Sequence, residues 1–516
     1  MTSQTGSEIS GNEVKAEKFT KLEKLYTVLI LIAAFGYVEF EIFSPTGIIT
    51  TAVNFLIITL AIVFLKKNDC KFNFHNTAIA GVMYIFSCVF SITDNGFIKF
   101  LNAVFLFLLG AYFVYSAGEG RKNIERYLPF AMIKALFEFP INHFGIQALA
   151  VKESIGKTRS AGNIKYIFLG LLLTVPLTAI VALLLISADE GMENIFKEIN
   201  NTVFSGKIIK YFFHFIIAIP CGMYLYGMIY GNGKRKDLNV LNGQLCEEKI
   251  NAAKVIPNMV LYTAILPILV LYVIFFISQA NYFLSAFSGA LPEGYSYAEY
   301  ARRGFFELCA ITIINLGVII FISMFARNSG KSKSGMLKFY TVVLSLFTMI
   351  LIAVAVSKMI MYISEYGLTR LRFYTTWFMV LCAFIFILII VKQFRFEMNF
   401  AGCSLTIFTL MFGLLCFSCP DRAIAKYNVE MYKAGYLKDI DKSEIQIMSD
   451  DAVLYAIEEG LFDKNDSHYL DHLASQIKSE NYIYRLNLSS FILYEELKDM
   501  KTSEEEMTEE FKYFAF

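Results

Sequence analysis

The chain has 516 residues, of which 56% are hydrophobic, 16% aromatic and 18% charged, and its mean hydropathy is +0.53. This is too apolar for a soluble protein of its length, and its Lys and Arg residues are scattered over loops and helix flanks, which argues against nucleic-acid binding. The net charge of +1 conceals a division: residues 418–516 hold 11 Lys+Arg against 21 Asp+Glu, a balance of −10 that leaves +11 on the remainder.

Residues 1–24 are polar and carry Lys15, Lys18, Lys21 and Lys24 ahead of the first apolar run. No small-residue cleavage site follows, so that run reads as an anchor that stays in place. Apolar runs of spanning length occur at about 25–43, 47–65, 76–93, 100–116, 166–187, 211–230, 255–279, 304–326, 339–361, 373–391 and 399–417. At roughly 20 residues per span these predict eleven transmembrane helices. With the N-terminus placed in the cytoplasm, the segments on that side carry 26 Lys+Arg and the opposite inter-span loops carry 8. The excess of basic residues orients the amino terminus inside, and an odd number of spans puts the C-terminal tail outside.

Five regions follow from this count: a cytoplasmic segment at 1–24, four spans over 25–116, a cytoplasmic loop at 117–165, seven spans over 166–417 and an acidic helical extracytoplasmic domain at 418–516. Within the loop, residues 126–151 are apolar and aromatic but broken by Pro129 and Pro140 and charged at Lys134 and Glu138, with His143 nearby. That pattern suits an interfacial or re-entrant helix better than a span. His214, in the aromatic run YFFHF, reads as a hydrogen-bonded interior residue. Gly367 offers a stop for the ninth span, and Ser449 a helix cap in the tail.

Several signatures fail on inspection. GKT at Gly156–Thr158 and GKS at Gly330–Ser332 lack the first glycine of a phosphate loop, since Val151 and Phe325 stand there. Cys416 and Cys419 form the single CxxC and read as unpaired helix-end thiols, because no second pair or nearby His completes a site. His468 and His472 are four apart and form a weak metal pair without a defined third ligand. No catalytic residue and no cofactor is indicated.

Charge at one side of the membrane is more informative. Glu299, Arg303 and Glu307 stack on one helical face with Arg302 beside them, and Glu307 falls inside an apolar run. Lys358 also lies inside a span, where it can snorkel or pair with Glu307 or Glu365. Arg370 and Arg372 stand on the outer side against the positive-inside tendency, so an acidic group is expected to meet them, whether an internal carboxylate or a lipid head group. Asp189 and Asp421 fall in the same layer, as do Glu39 and Glu41.

The segments RGFFEL (Arg303–Leu308), ISADEGMENIF, MYISEYGLTRLRFY and DRAIAKYNVEMY resemble a bacterial polytopic membrane family catalogued as domain of unknown function 4173, related to number 4153. The resemblance implies an inner-membrane protein of Gram-positive-type bacteria with no established activity. From the residues themselves, the expectation is a multi-pass cell-membrane protein that binds, senses or transports an anionic lipid or envelope molecule. Arg302, Arg303, Arg370 and Arg372 would hold the anion, with Glu299, Glu307 and Glu365 positioning them. The alternatives are a transferase acting on lipid-linked substrates and a structural or signalling role beside a membrane protein partner.

Overall fold

The computed structural model describes residues 19–124, 127–155, 207–234, 243–278, 305–327, 335–395, 397–462 and 485–497, with isolated positions between 170 and 185 and between 466 and 473. Among these residues the secondary structure is helical, apart from one isolated pairing of Ile256 with Ala326. Ten helices are long and apolar enough to cross a membrane. They match ten of the eleven expected runs. The remaining one, 166–187, lies outside the described residues except for scattered helical positions such as Gly170 and Val181.

The first span is α1 (Lys21–Tyr37), which continues as a π-helical stretch, Val38–Phe43. Its start is set by a capping box: the Glu23 N–H donates to Thr20 Oγ1 at 3.3 Å, and the Thr20 N–H donates to Glu23 Oε2 at 2.8 Å. Next come α2 (Ile48–Lys67), α3 (Phe74–Ser87, prolonged by Val89–Ile92) and α4 (Gly96–Glu119). Asn95 caps α4 by accepting from the Ile98 N–H at 3.0 Å, and Gly120 ends it at φ 66°, a conformation that favours glycine.

The expected interfacial segment is a broken helix: α5 (Leu128–Ile133), a π-helical stretch Lys134–Glu138, α6 (Phe139–Asn142) and α7 (Ile146–Ile155). It packs against α8 (Lys207–Lys234), where Tyr224 OH donates to the Leu136 carbonyl at 2.8 Å. A Cβ on Gly227 would meet the Pro140 and His143 carbonyl oxygens at 3.0 Å. The elbow therefore reaches roughly 10–15 Å in from the Lys234 end of α8, at 1.5 Å per residue. Of the two readings, the depth favours the re-entrant one.

The later helices are α9 (Gly243–Ala253), α10 (Asn258–Ser278), α11 (Phe305–Phe325), α12 (Gly335–Tyr366), α13 (Arg370–Phe394) and α14 (Phe400–Phe417). Gly367 terminates α12 at φ 75°, as its position suggested. After Cys419 come α15 (Pro420–Lys433), α16 (Lys442–Gln446), α17 (Asp450–Glu458) and α18 (488–497).

Two bundles divide the apolar core. The first gathers α1 to α8 around Phe64, Tyr112, Phe113 and Tyr226, with Phe412 and Leu415 of α14 joining it. The second gathers α10 to α13 around Leu344, Leu351, Val354 and Phe386. Lipid is as apolar as these side chains, so polar contacts supply much of the specificity. In the second bundle Asn315 ties three helices, accepting from Tyr272 OH at 2.7 Å and donating to Thr348 Oγ1 at 2.9 Å.

The helix ends form two polar layers. In the first, Lys234 pairs with Glu23, Asn73 Nδ2 donates to the Gly120 carbonyl at 2.8 Å and Asn399 bonds the Ile124 carbonyl. The second layer joins the 44–47 turn, the 93–95 turn, the 367–369 turn and α15 to α18. Glu153 on α7 meets Lys24 in the first layer, whereas His214 early in α8 meets Glu39 near the second. Glu153 and His214 therefore lie in different layers.

Candidate functional site

The second layer concentrates charge where three parts of the chain meet. The first bundle contributes Asp94 and Lys99, the second Arg370, and the C-terminal helices Asp421, Ser449, Asp450, Asp451 and Arg485. Thr369 caps α13 and fixes the start of the helix that carries Arg370, while Pro420 opens α15 beside Asp421.

Asp421 is fully buried and receives the Arg370 guanidinium in a two-pronged contact, Nε to Oδ1 at 3.0 Å and Nη2 to Oδ2 at 2.5 Å. Ser449 adds two donors to Oδ2, its N–H at 3.0 Å and its hydroxyl at 2.8 Å. Ser449 thus occupies the cap position of α17, but its hydroxyl serves Asp421 and not the helix. A planar fork on a carboxylate is the geometry that only arginine supplies.

Arg485 bridges two acids. Its Nε donates to Asp94 at 3.1 Å and its Nη2 bonds both Asp94, at 2.5 Å, and Asp450, at 3.1 Å. Lys99 Nζ donates to the same Asp94 at 3.3 Å and to the Thr46 carbonyl at 2.5 Å. Asn95 Nδ2 donates to Tyr374 OH at 2.9 Å, joining the bundles beside these charges. Burial, the neighbouring Asp94 charge and Asp451 together push Asp450 up to about 6, against the pull of Arg485 and Lys99. Burial likewise raises Asp451, with Asp421 adding to it.

Arg370 and Arg485 both line one cleft of about 360 Å³, with Asp94, Phe97, Ile447 and Ser449 also in its lining. Each arginine side chain keeps 37% of its surface exposed. Clefts at the junction of separate units are where ligands are most often held.

The sequence-derived candidates divide. Arg370 and Asp421 come together. Arg372 instead bonds the Tyr366 carbonyl at 3.0 Å and the Gly367 carbonyl, and lies over the Tyr362 ring at 4.1 Å, so it closes the end of α12. Glu365 is exposed, and the carboxylate that holds Arg370 is Asp421. Glu307 stands exposed in the first turn of α11, and Lys358 lies on α12. Asp189, Glu299, Arg302, Arg303, His468 and His472 lie outside the described residues.

Sequence reasoning missed Asp94, Asp450, Asp451 and Arg485. Asp94 and Arg485 are 391 positions apart, and no local spacing links them. A second buried pair also escaped it: His214 Nδ1 meets Glu39 Oε2, with Phe43 stacked on the imidazole at 4.2 Å and Ser44 Oγ donating to Glu39 Oε1 at 3.1 Å. His214 is nevertheless the hydrogen-bonded interior residue that its aromatic run suggested. Cys416 and Cys419 are unbridged. Among the described residues no cluster of three or more His, Cys, Asp or Glu side chains is arranged to hold a metal ion.

No curated protein and no solved structure matches the chain. A family model does, over residues 80–459, from the third span through the helix that carries Asp450 and Asp451. That span is well over half of the chain, which therefore belongs to the family described as Domain of unknown function (DUF4153).

Proposed function

We propose that this polytopic membrane protein binds or senses an anionic or amphiphilic envelope component at the cleft of its second polar layer, without chemical turnover. We further propose that it lies in the cytoplasmic membrane of a bacterium with that layer outside, and that its RGFFEL and YGLTRLR segments place it beside the related family numbered 4173. The observation that carries the reading is the convergence of Arg370 and Arg485, from separate elements, on one partly open cleft. Two guanidinium groups suit a phosphate or carboxylate.

Both arginines already hold carboxylates, so an incoming anion must compete. Asp450 makes that exchange feasible. Burial and the Asp94 charge raise it above the ordinary carboxylate range, and once neutral it holds Arg485 Nη2 less strongly, leaving Asp94 as the remaining acid on that guanidinium. Anion binding should therefore tighten as the pH falls from 8 towards 6.

The same geometry supports a second reading, in which the layer only clamps the C-terminal helices to the bundle ends, because both guanidinium groups are engaged by acids. Native mass spectrometry in gentle detergent separates the two. On the binding reading the wild-type protein carries an anionic lipid or envelope molecule that a combined Arg370→Lys and Arg485→Lys variant loses, while a melt shows the variant still folded. Equal adducts on both proteins, with only stability changed, leave the clamp as the role.

A further inference from the structure

Residues 488–497 form a short helix with one apolar side left uncovered. Asn487 and Ser490 cap α18 reciprocally: the Ser490 N–H donates to Asn487 Oδ1 and the Asn487 N–H to Ser490 Oγ, both at 3.0 Å. One face of α18 buries Ser489, Ser490, Leu493 and Leu497, and its leucines join Val453 and Ile457 in the core of the C-terminal helices. The other face carries Leu488, Phe491 and Ile492, which are 55%, 50% and 39% exposed. Their spacing of i, i+3 and i+4 makes a single apolar stripe, and Glu495 extends it with a charge one turn later.

The position of this stripe identifies what covers it. The Ile48 N–H, on the first residue of α2, donates to the Leu486 carbonyl at 2.9 Å. Ser489 Oγ donates to the carbonyl of Ile92, the last residue of the third span, at 2.9 Å. The start of α18 is therefore pinned to the level where two spanning helices leave the hydrocarbon. Ile48 is itself 51% exposed, so an apolar side chain of α2 is also uncovered at this level.

We propose that α18 is an interfacial membrane helix that seats Leu488, Phe491 and Ile492 in the acyl boundary of the bilayer on the second-layer side. A helix with this placement binds through the apolar area it sinks below the head groups. The C-terminal helices are then held twice, by the Arg485 ion pairs and by lipid. The partner is the bilayer surface itself, and the assignment does not depend on what occupies the cleft.

The wild-type chain contains one tryptophan, Trp377, so Phe491→Trp adds a single reporter to the stripe. In vesicles of phosphatidylcholine and phosphatidylglycerol the added emission is expected to shift to the blue. It should be quenched by phosphatidylcholine brominated high on its acyl chains more than by lipid brominated near the chain ends, and only weakly by iodide. Emission at the wavelength of tryptophan in water, with strong iodide quenching and none from brominated lipid, overturns the proposal. A blue-shifted signal that neither agent quenches also overturns it, because a protein surface would then cover the face. Ile492→Trp repeats the test at a second exposed position should the first variant fold poorly.

Discussion

Arg370 shows how a cation at the start of a spanning helix is neutralised within the chain: its guanidinium holds Asp421, which has no surface of its own. Removing Asp421 leaves the half-exposed Arg370 and the Ser449 donors without their acceptor, at a cost of about 1–3 kcal/mol. Asp421→Ala should therefore lower the thermal midpoint in detergent sharply, while Glu365→Ala, at an exposed position, should stay within about 0.5 kcal/mol of wild type. Equal melting of the two variants would remove Asp421 from the architecture. Asp450 makes a prediction of the opposite kind. Its value in the folded protein is about 6 against an ordinary 3.8, so the folded state binds the proton more tightly than the unfolded chain. The stability this gives is complete below about 3.8 and is lost as the pH rises through about 6. Asp450→Asn mimics the protonated form and should melt above wild type at pH 8. Below pH 4 the two should converge. A wild-type protein that melts higher at pH 8 than at pH 5, with Asp450→Asn following the same trend, would show that the burial of Asp450 does not govern the layer.

At the scale of elements, the re-entrant segment depends on glycines in α8 that let two backbones approach. A Cβ on Gly231 would stand 2.7 Å from His143 Nδ1, whose ring nitrogen is already engaged with the Phe139 carbonyl at 2.8 Å. Gly231→Val should cost about 1–3 kcal/mol by overpacking. Gly81→Ala in α3, where nothing lies within 4 Å, should be neutral or stabilising by up to about 1 kcal/mol. The melting order of these two variants checks the packing directly. The segment also marks the limit of what its sequence could reveal. Pro129, Pro140 and the charges at Lys134 and Glu138 argued against a full span, because a span needs an uninterrupted apolar helix. How deep it sits was not legible, since that depends on Gly227 and Gly231, some ninety residues later. The helix ends were more legible because their signals are local: Asn95 before α4, Thr369 before α13 and Gly367 after α12 all act within four residues of themselves.

For the whole molecule, length and hydropathy located the spans, since crossing a hydrocarbon layer demands about twenty apolar residues wherever the helix later packs. The split into two bundles was not legible, because both have equally apolar helices and differ only in their neighbours. The ion pairs were not legible either: seven of the ten described spans lie between Asp94 and Arg485, and only the folded bundle brings the two together. What the sequence could supply was sidedness, and the fold makes that testable. Every loop counted towards the basic excess that the structure describes falls in the first layer, while Tyr436, at 75% exposure, belongs to the C-terminal helices of the second. The nine native cysteines are buried or half-buried, so the wild-type chain serves as a blank for thiol labelling. In intact cells a membrane-impermeant maleimide should label Tyr436→Cys and leave Lys67→Cys, at the first-layer end of α2, unlabelled until the cells are permeabilised. The reverse pattern would put Arg370 and Arg485 in the cytoplasm. An envelope ligand could then no longer reach the cleft, although the ion pairs and the lipid contact of α18 would stand unchanged.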